Sequence, residues 1–190
     1  MDEKLASRDI VLIGAGHTNM HIVRMWKMDP IRDARLTLIS PFSRATYSGM
    51  LPGTLAGLYE PDEMAIDLFR FAAPSGIRVI IDDAIGLDPD RRRVLLGMRP
   101  PIRFDVASVG IGSVPAEANR WSTSPAFLPI KPMATFRGRL QNRLDELQQS
   151  APERGAEFPI RVVVVGGGAA GTEVTMCLDA RLRSQGLNVA

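Results

Sequence analysis

At 190 residues, 45% of them hydrophobic, with 23 lysines and arginines against 21 aspartates and glutamates for a formal net charge of +2, the chain has the make-up of a globular protein with one good core or slightly more. Interspersed charges of both signs leave no concentrated nucleic-acid footprint, and the single cysteine, Cys177, rules out an intrachain disulfide and a cysteine-pair metal site. His17 and His21 are the only histidines, so no metal site is expected; Met1-Asp2-Glu3-Lys4 lacks the order of a secretory signal and no run nears the ~18 apolar residues of a membrane span, so a cytoplasmic chain with no transmembrane segment is expected.

The first element is the apolar run Ile10-Val11-Leu12-Ile13, entering Gly14-Ala15-Gly16. A continuous apolar run of this kind reads as a parallel strand buried on both faces. From His17 to Met28 the pattern predicts a helix, with Met20, Val23 and Trp26 or Lys27 stepping round one side, that stops before Asp29-Pro30. Arg35 to Ser40 alternates and ends at Ser40-Pro41, a second parallel strand completing a βαβ unit of about 30 residues.

Phe42 to Tyr59 is rich in Gly, Pro, Ser and Thr, and is expected to be a loop on the ligand-binding side of the sheet, with Tyr47-Ser48-Gly49-Met50-Leu51-Pro52-Gly53 at its centre. Glu60-Pro61-Asp62 is expected to introduce a helix including Met64, Ile66 and Leu68-Phe69, and Gly76 to Ile81 a third strand. Ile85 to Leu96 brackets the turn Asp88-Pro89-Asp90 as an antiparallel hairpin, which makes Arg91-Arg92-Arg93 a solvated tip and not a functional basic patch. Phe104 to Gly112 reads as a further sheet strand entering a glycine turn, and Pro125, Pro129 and Pro132 punctuate a linker. Phe136, Leu140, Leu144 and Leu147 lie at helical spacing, followed by a second linker at Ala151-Pro152-Glu153-Arg154-Gly155. The chain then repeats its opening: Val162-Val163-Val164-Val165 enters Gly166-Gly167-Gly168, with Gly171 three residues on and Glu173 to Leu178 on the next helix, where Cys177 reads as a packing residue.

The two glycine turns lie about 150 residues apart, each after a strand-like run and before a helix. A glycine turn lets the backbone approach a pyrophosphate that sits on the positive end of the next helix. One such turn is weak evidence, but two imply two dinucleotides, and the usual use of two is to pass a hydride between a nicotinamide and a flavin.

From about Asp9 to Leu187 this order of elements resembles the two-dinucleotide-binding-domain flavoproteins, which include the pyridine nucleotide-disulfide oxidoreductases and type-2 NADH dehydrogenases. Tyr47 to Gly53, Asp67-Leu68, Arg103-Phe104-Asp105 and Lys131-Pro132 look like the NADH-dehydrogenase-like flavoprotein associated with selenide, water dikinase. The resemblance implies an α/β fold: an FAD/NAD(P)-binding Rossmann-like parallel sheet with an antiparallel β hairpin, plus the first strand and helix of a second nucleotide-binding domain. The implied boundaries are an FAD domain over 1–135, a linker helix and loop over 136–158, and the start of an incomplete NAD(P) domain over 159–190.

FAD is expected on the first turn at Gly14, Ala15, Gly16, His17 and Asn19, whose donors can reach a phosphate or flavin edge, with Ser40 at the ribose and Arg44 toward the adenosine. Gly49, Met50, Leu51 and Pro52 are expected beside the isoalloxazine ring, Asp83 and Ala84 at the adenine, and Gly112 and Ser113 by the pyrophosphate or ribityl chain. Gly166, Gly168 and Gly171 are expected to take NAD(P)H. Three positions depart from the pattern. Asn19 stands where a third glycine is usual, Ser40 where a ribose-gripping carboxylate is usual, and the cysteine pair of the disulfide reductases is absent, which excludes a dithiol relay.

The expected function is an FAD-dependent NAD(P)H oxidoreductase that passes hydride to flavin and electrons to a quinone or other acceptor, here as an amino-terminal part. No side chain is expected to act as an acid or base. The alternative is a non-catalytic FAD-binding module. The region after about Pro159 is expected to pack poorly unless a partner completes it, since four valines left partly wet forfeit something like 4 to 8 kcal/mol, about 1.5 to 2 each, and an isolated helix of about 15 residues is marginal on its own.

Overall fold

The computed structural model describes residues 7–115, 118–149 and 161–186. The chain divides into two compact units, Met1–Ala45 with Asp67–Val114, and Thr46–Ile66 with Pro115–Ala190. Residues 46–66 thus group with the later helices, although the sequence reading places them in the first domain.

The first unit is built on a four-stranded parallel sheet in the order β5-β2-β1-β9, from β1 (Arg8–Ile13), β2 (Ala34–Ser40), β5 (Arg78–Ile81) and β9 (Val106–Val109). Ile13 lies opposite both Ile39 and Val109, so β1 is paired on both edges. The period of two then sorts side chains between faces. Leu12, Leu36 and Leu38 pack with Val23 and Trp26 of α1 (His17–Met28) and with Leu68 and Ala72 of α3 (Leu68–Ala72). Val11, Ile13 and Ile39 pack on the other face with Val94, Leu96 and Phe104. Val94 and Leu96 belong to a three-stranded antiparallel sheet, β6 (Ala84–Asp88), β7 (Arg93–Leu96) and β8 (Ile102–Arg103). The predicted hairpin is therefore present with a third strand added, and Arg91, Arg92 and Arg93 are exposed at its tip.

The amino ends of the strands are tied by charge. Asp105 accepts from the Asp9 N–H at 2.8 Å and from Arg103 Nη2 at 2.7 Å, while Asp9 takes Arg35 Nε at 2.8 Å. The hydrogen bond from the Asp9 main chain, reinforced by the charges of Arg103 and Arg92, holds the Asp105 carboxyl below the ordinary carboxylate range.

Two local expectations are corrected. The helix expected from residue 60 begins only at Leu68, because Ala65–Asp67 forms a short strand, β4, beside β3 (Arg44–Thr46), and Asp67 then caps α3 by accepting from the Arg70 N–H at 2.9 Å. The Phe42–Tyr59 loop contains a short helix, α2 (Leu51–Leu55), preceded by a 3-10 turn at Ser48–Met50. Pro52 falls in its first turn, where a missing N–H costs nothing.

The second unit packs α2 with α4 (Met133–Gln149) and α5 (Ala169–Ser184). Phe136, Leu140 and Leu144 of α4 meet Val174, Leu178 and Leu182 of α5, two stripes spaced one helical turn apart, with Leu51, Leu55 and Met64 joining them. Cys177 is half-buried beside this cluster. The expectation for the end of the chain is met in one part and overturned in the other. No strand forms at 162–165, where Val163 and Val165 are each 83% exposed, because no neighbouring strand pairs with them among the described residues. The helix after them is not marginal, because its apolar stripe has α4 to bury against. The expected linker at Ala151–Gly155 lies outside the described residues.

Candidate functional site

All four parallel strands end on one edge of the sheet, at Ile13, Ser40, Ile81 and Val109, and the turns leaving them gather most of the predicted residues of the first unit. In an open α/β sheet this carboxyl edge is where ligands bind.

The central turn is knitted to β9. Gly14 N donates to Ile39 O at 2.8 Å, Gly110 N to Ile13 O at 2.8 Å, and Gly16 N to Gly110 O at 2.9 Å. Gly14 has φ +83°, in the left-handed region, and a Cβ on it would stand 2.6 Å from the Gly110 carbonyl oxygen; a Cβ on Gly16 would collide with the same oxygen. The glycine pair is thus required by an approach of the chain to itself, before any phosphate is considered. Gly110 does this, and sequence reasoning did not single it out: in Val109-Gly110-Ile111-Gly112 nothing marks which glycine is crowded.

Gly16 caps α1 without a side-chain hydrogen bond, and the first turn of that helix carries no acidic residue. A 12-residue helix with such an opening presents main-chain N–H groups and the positive end of its dipole, the chemistry that holds a phosphate. Ala15 is half-buried behind this turn and His17 is exposed on it.

Asn19 is fully buried. Its Nδ2 donates to Gly14 O at 2.7 Å and Ile13 O at 3.0 Å, and its Oδ1 accepts from Ser108 Oγ at 2.7 Å. Its amide is engaged inside the protein, not displayed at a ligand surface as the sequence suggests. Ser108, its partner, was not anticipated, since only the pairing of β9 beside β1 brings it there.

Around this centre, Ser40 is buried and its hydroxyl donates to Phe42 O at 2.9 Å, closing a local turn. Arg44 is exposed at the start of β3. Asp83 and Ala84 are exposed after β5, on a bend fixed by the neighbouring Asp82, a residue the sequence did not point to. The buried Asp82 carboxylate accepts from Asp83 N at 2.8 Å and Met98 N at 3.1 Å. Gly112 has φ +74° with open space where a Cβ would lie, and Ser113 is exposed beside it.

In the second unit, Leu51 is buried in the core, so only its main chain is available to a ligand, while Gly49 packs against the Tyr47 ring. The second glycine turn is formed, with Gly166 at φ +120°, Gly168 capping α5 and a Cβ at Gly171 barred by the Gly166 carbonyl. Among the described residues no group of acidic, histidine or cysteine side chains is arranged to hold a metal, and no helix is long and apolar enough to cross a membrane.

No known protein-family pattern matches the chain, and no curated protein matches it. Solved structures do. The sulfide:quinone oxidoreductase of Aquifex aeolicus aligns over 96% of this chain with a TM-score of 0.69 at 19% identity. The reduced CoADR-RHD of Bacillus anthracis covers 98% with a TM-score of 0.72 at 16% identity, and the NAD-dependent persulfide reductase of A. fulgidus covers 96% at 0.68 and 18%. The chain shares the fold of these three proteins. The alignment takes in 42%, 33% and 39% of those three chains respectively, so this chain spans less than half the length of each.

Proposed function

We propose that this chain belongs to an FAD-dependent NAD(P)H oxidoreductase, of which it supplies an amino-terminal part. The observation that supports this most is the Gly14–Gly16 turn, closed against Gly110 at the uncapped start of α1 in a fold shared with NAD-linked reductases. The residues fit a bound dinucleotide. Main-chain donors of Ala15 and of His17 in the first turn of α1 serve the pyrophosphate, Gly14 and Gly16, whose own N–H groups go to Ile39 and Gly110, let the backbone come close to it, and the open, left-handed Gly112 with Ser113 leaves further room for backbone approach.

Ser40 and Arg44 are assigned to the ribose and adenosine side, and the exposed residues Asp83 and Ala84 to the adenine. Ser40 reaches a ribose only if it exchanges its bond to Phe42. Gly49, Met50, Leu51 and Pro52 keep a main-chain role toward the flavin, and Gly166, Gly168 and Gly171 the role of receiving NAD(P)H. When bound, the flavin supplies hydride acceptance and onward electron transfer, and the protein supplies orientation and electrostatics. The electrons pass to a quinone or other acceptor, and a cytoplasmic setting belongs to the same proposal.

A visible spectrum of the purified chain, before and after anaerobic NADH or NADPH, tests the reading. A flavin band that bleaches supports reductase chemistry, whereas a colourless chain that binds no added FAD refutes it. A second reading, an FAD-binding module without turnover, is favoured by the mostly exposed 162–165 segment, which pairs with no strand among the described residues and leads into the second glycine turn. Its mark is a stable flavin band that neither nucleotide bleaches.

A further inference from the structure

We propose that Asn19 is the positioning residue of the first glycine turn: its buried carboxamide, seated in the space left by Gly110, sets the peptide planes that meet the pyrophosphate, without touching the ligand itself. The inference rests on the FAD reading above.

The chain contains its own control. Counting from the first glycine, Asn19 occupies in the first turn the place that Gly171 occupies in the second. At Gly171 the turn closes by bare packing, with the first glycine's carbonyl, Gly166 O, lying where a side chain would begin. At Asn19 the corresponding carbonyl, Gly14 O, instead accepts a hydrogen bond of 2.7 Å from Nδ2. The second Nδ2 hydrogen goes to Ile13 O at 3.0 Å, with Ser108 O a longer neighbour at 3.4 Å, and Oδ1 takes the Ser108 hydroxyl at 2.7 Å. A carboxamide has two donor hydrogens and one acceptor oxygen, and here all are engaged.

Room for the larger side chain comes from β9. A Cβ on Gly110 would lie 2.6 Å from Asn19 Nδ2 and 2.8 Å from its Cγ. Asn19 and Gly110 are thus complementary in size, and Gly110 also receives the Gly16 N–H.

The consequence for binding follows from peptide planarity. Gly14 C=O and Ala15 N–H belong to one trans peptide and point in opposite directions. Pinning the carbonyl inward on a buried amide turns the Ala15 N–H away from the interior. Gly16 N–H is committed to Gly110 at the same time, so the donors left for an oxyanion are Ala15 and the first turn of α1. Replacing Asn19 with glycine copies the second turn's residue but frees the Gly14–Ala15 peptide to rotate, since Gly110 supplies no Cβ to fill the gap.

The test measures FAD affinity of the full chain by flavin fluorescence, together with thermal melting of the FAD-free protein. Expected results are a loss of about tenfold or more for Asn19→Gly at a temperature where it remains folded, and a smaller loss of about threefold to tenfold for Ser108→Ala, which removes one arm and leaves both amide donors. Gly110→Ala is expected to melt early alone and to recover its melting temperature in the Asn19→Gly background, without recovering affinity. Wild-type affinity in both Asn19→Gly and Ser108→Ala, with only melting lowered, overturns the positioning role and leaves the FAD reading intact. A wild-type chain that binds no FAD overturns that reading, and this inference with it. Should Asn19→Gly not fold, Ser108→Ala decides alone.

Discussion

Alanine at Gly110 and alanine at Gly112 differ by two positions in sequence and are expected to differ several-fold in cost. At Gly110 the new methyl stands 2.6 Å from Asn19 Nδ2 and 2.8 Å from Cγ, inside any tolerated contact, and Asn19 is fully buried and hydrogen-bonded at both ends of its amide. The amide has to swing out, and it breaks its bonds to Gly14 O, Ile13 O and Ser108 Oγ as it does so. Overpacking costs about 1 to 3 kcal/mol, and a buried polar group left unpaired about 1 to 3 more, so a total of about 3 to 5 kcal/mol is expected with partial relaxation. Gly112 has nothing within 4 Å of a Cβ and pays only for its φ of +74°, on the order of 1 to 2 kcal/mol. Urea titrations of both variants followed by circular dichroism measure the two costs. Equal midpoints, or a lower one for Gly112→Ala, would refute the assignment of Gly110 as the crowded glycine.

Leu178→Ala removes the middle of the α5 stripe and should cost about 2 to 4 kcal/mol, read as faster hydrogen exchange in α5 and α4 together. Val163→Asp, on a residue 83% exposed, should change stability by less than about 0.5 kcal/mol; a loss of several kcal/mol in a urea titration would show that this segment is a buried strand after all. Asp67→Ala removes the cap of α3 and should cost about 1 kcal/mol, as measured by thermal melting. Asp105 has a folded pKa below its unfolded value, so its carboxylate stabilises the fold above the ordinary carboxylate range, and that contribution is lost as pH falls through the depressed folded value. The melting difference between wild type and Asp105→Asn should therefore be present at neutral pH and shrink toward zero in strong acid. A difference that does not change with pH would contradict the ionic role.

Local pattern determined a good deal of this protein. A continuous apolar run marked β1 and alternation ending at Ser40-Pro41 marked β2, helical spacing marked α1 and the Phe136-Leu140-Leu144 face of α4, and the turn Asp88-Pro89-Asp90 marked the β6–β7 hairpin, because each of these depends on neighbours close in sequence. The glycine turns were legible for the same reason. Pairing across the chain decided the rest. A run of valines is a strand only when another strand lies beside it, so Val162–Val165, as apolar as β1, stays unpaired among the described residues, while the less apolar Val106–Val109 takes the place next to β1. The α5 helix was read as marginal because its Val174-Leu178-Leu182 stripe has value only against α4. At the site, sequence named Gly14, Gly16 and Asn19, but Gly110 and Ser108 join them through the β1–β9 register, about 90 residues away. Close approach of distant backbone is a property of the packed sheet, and it alone tells a glycine that must be glycine from one that merely is.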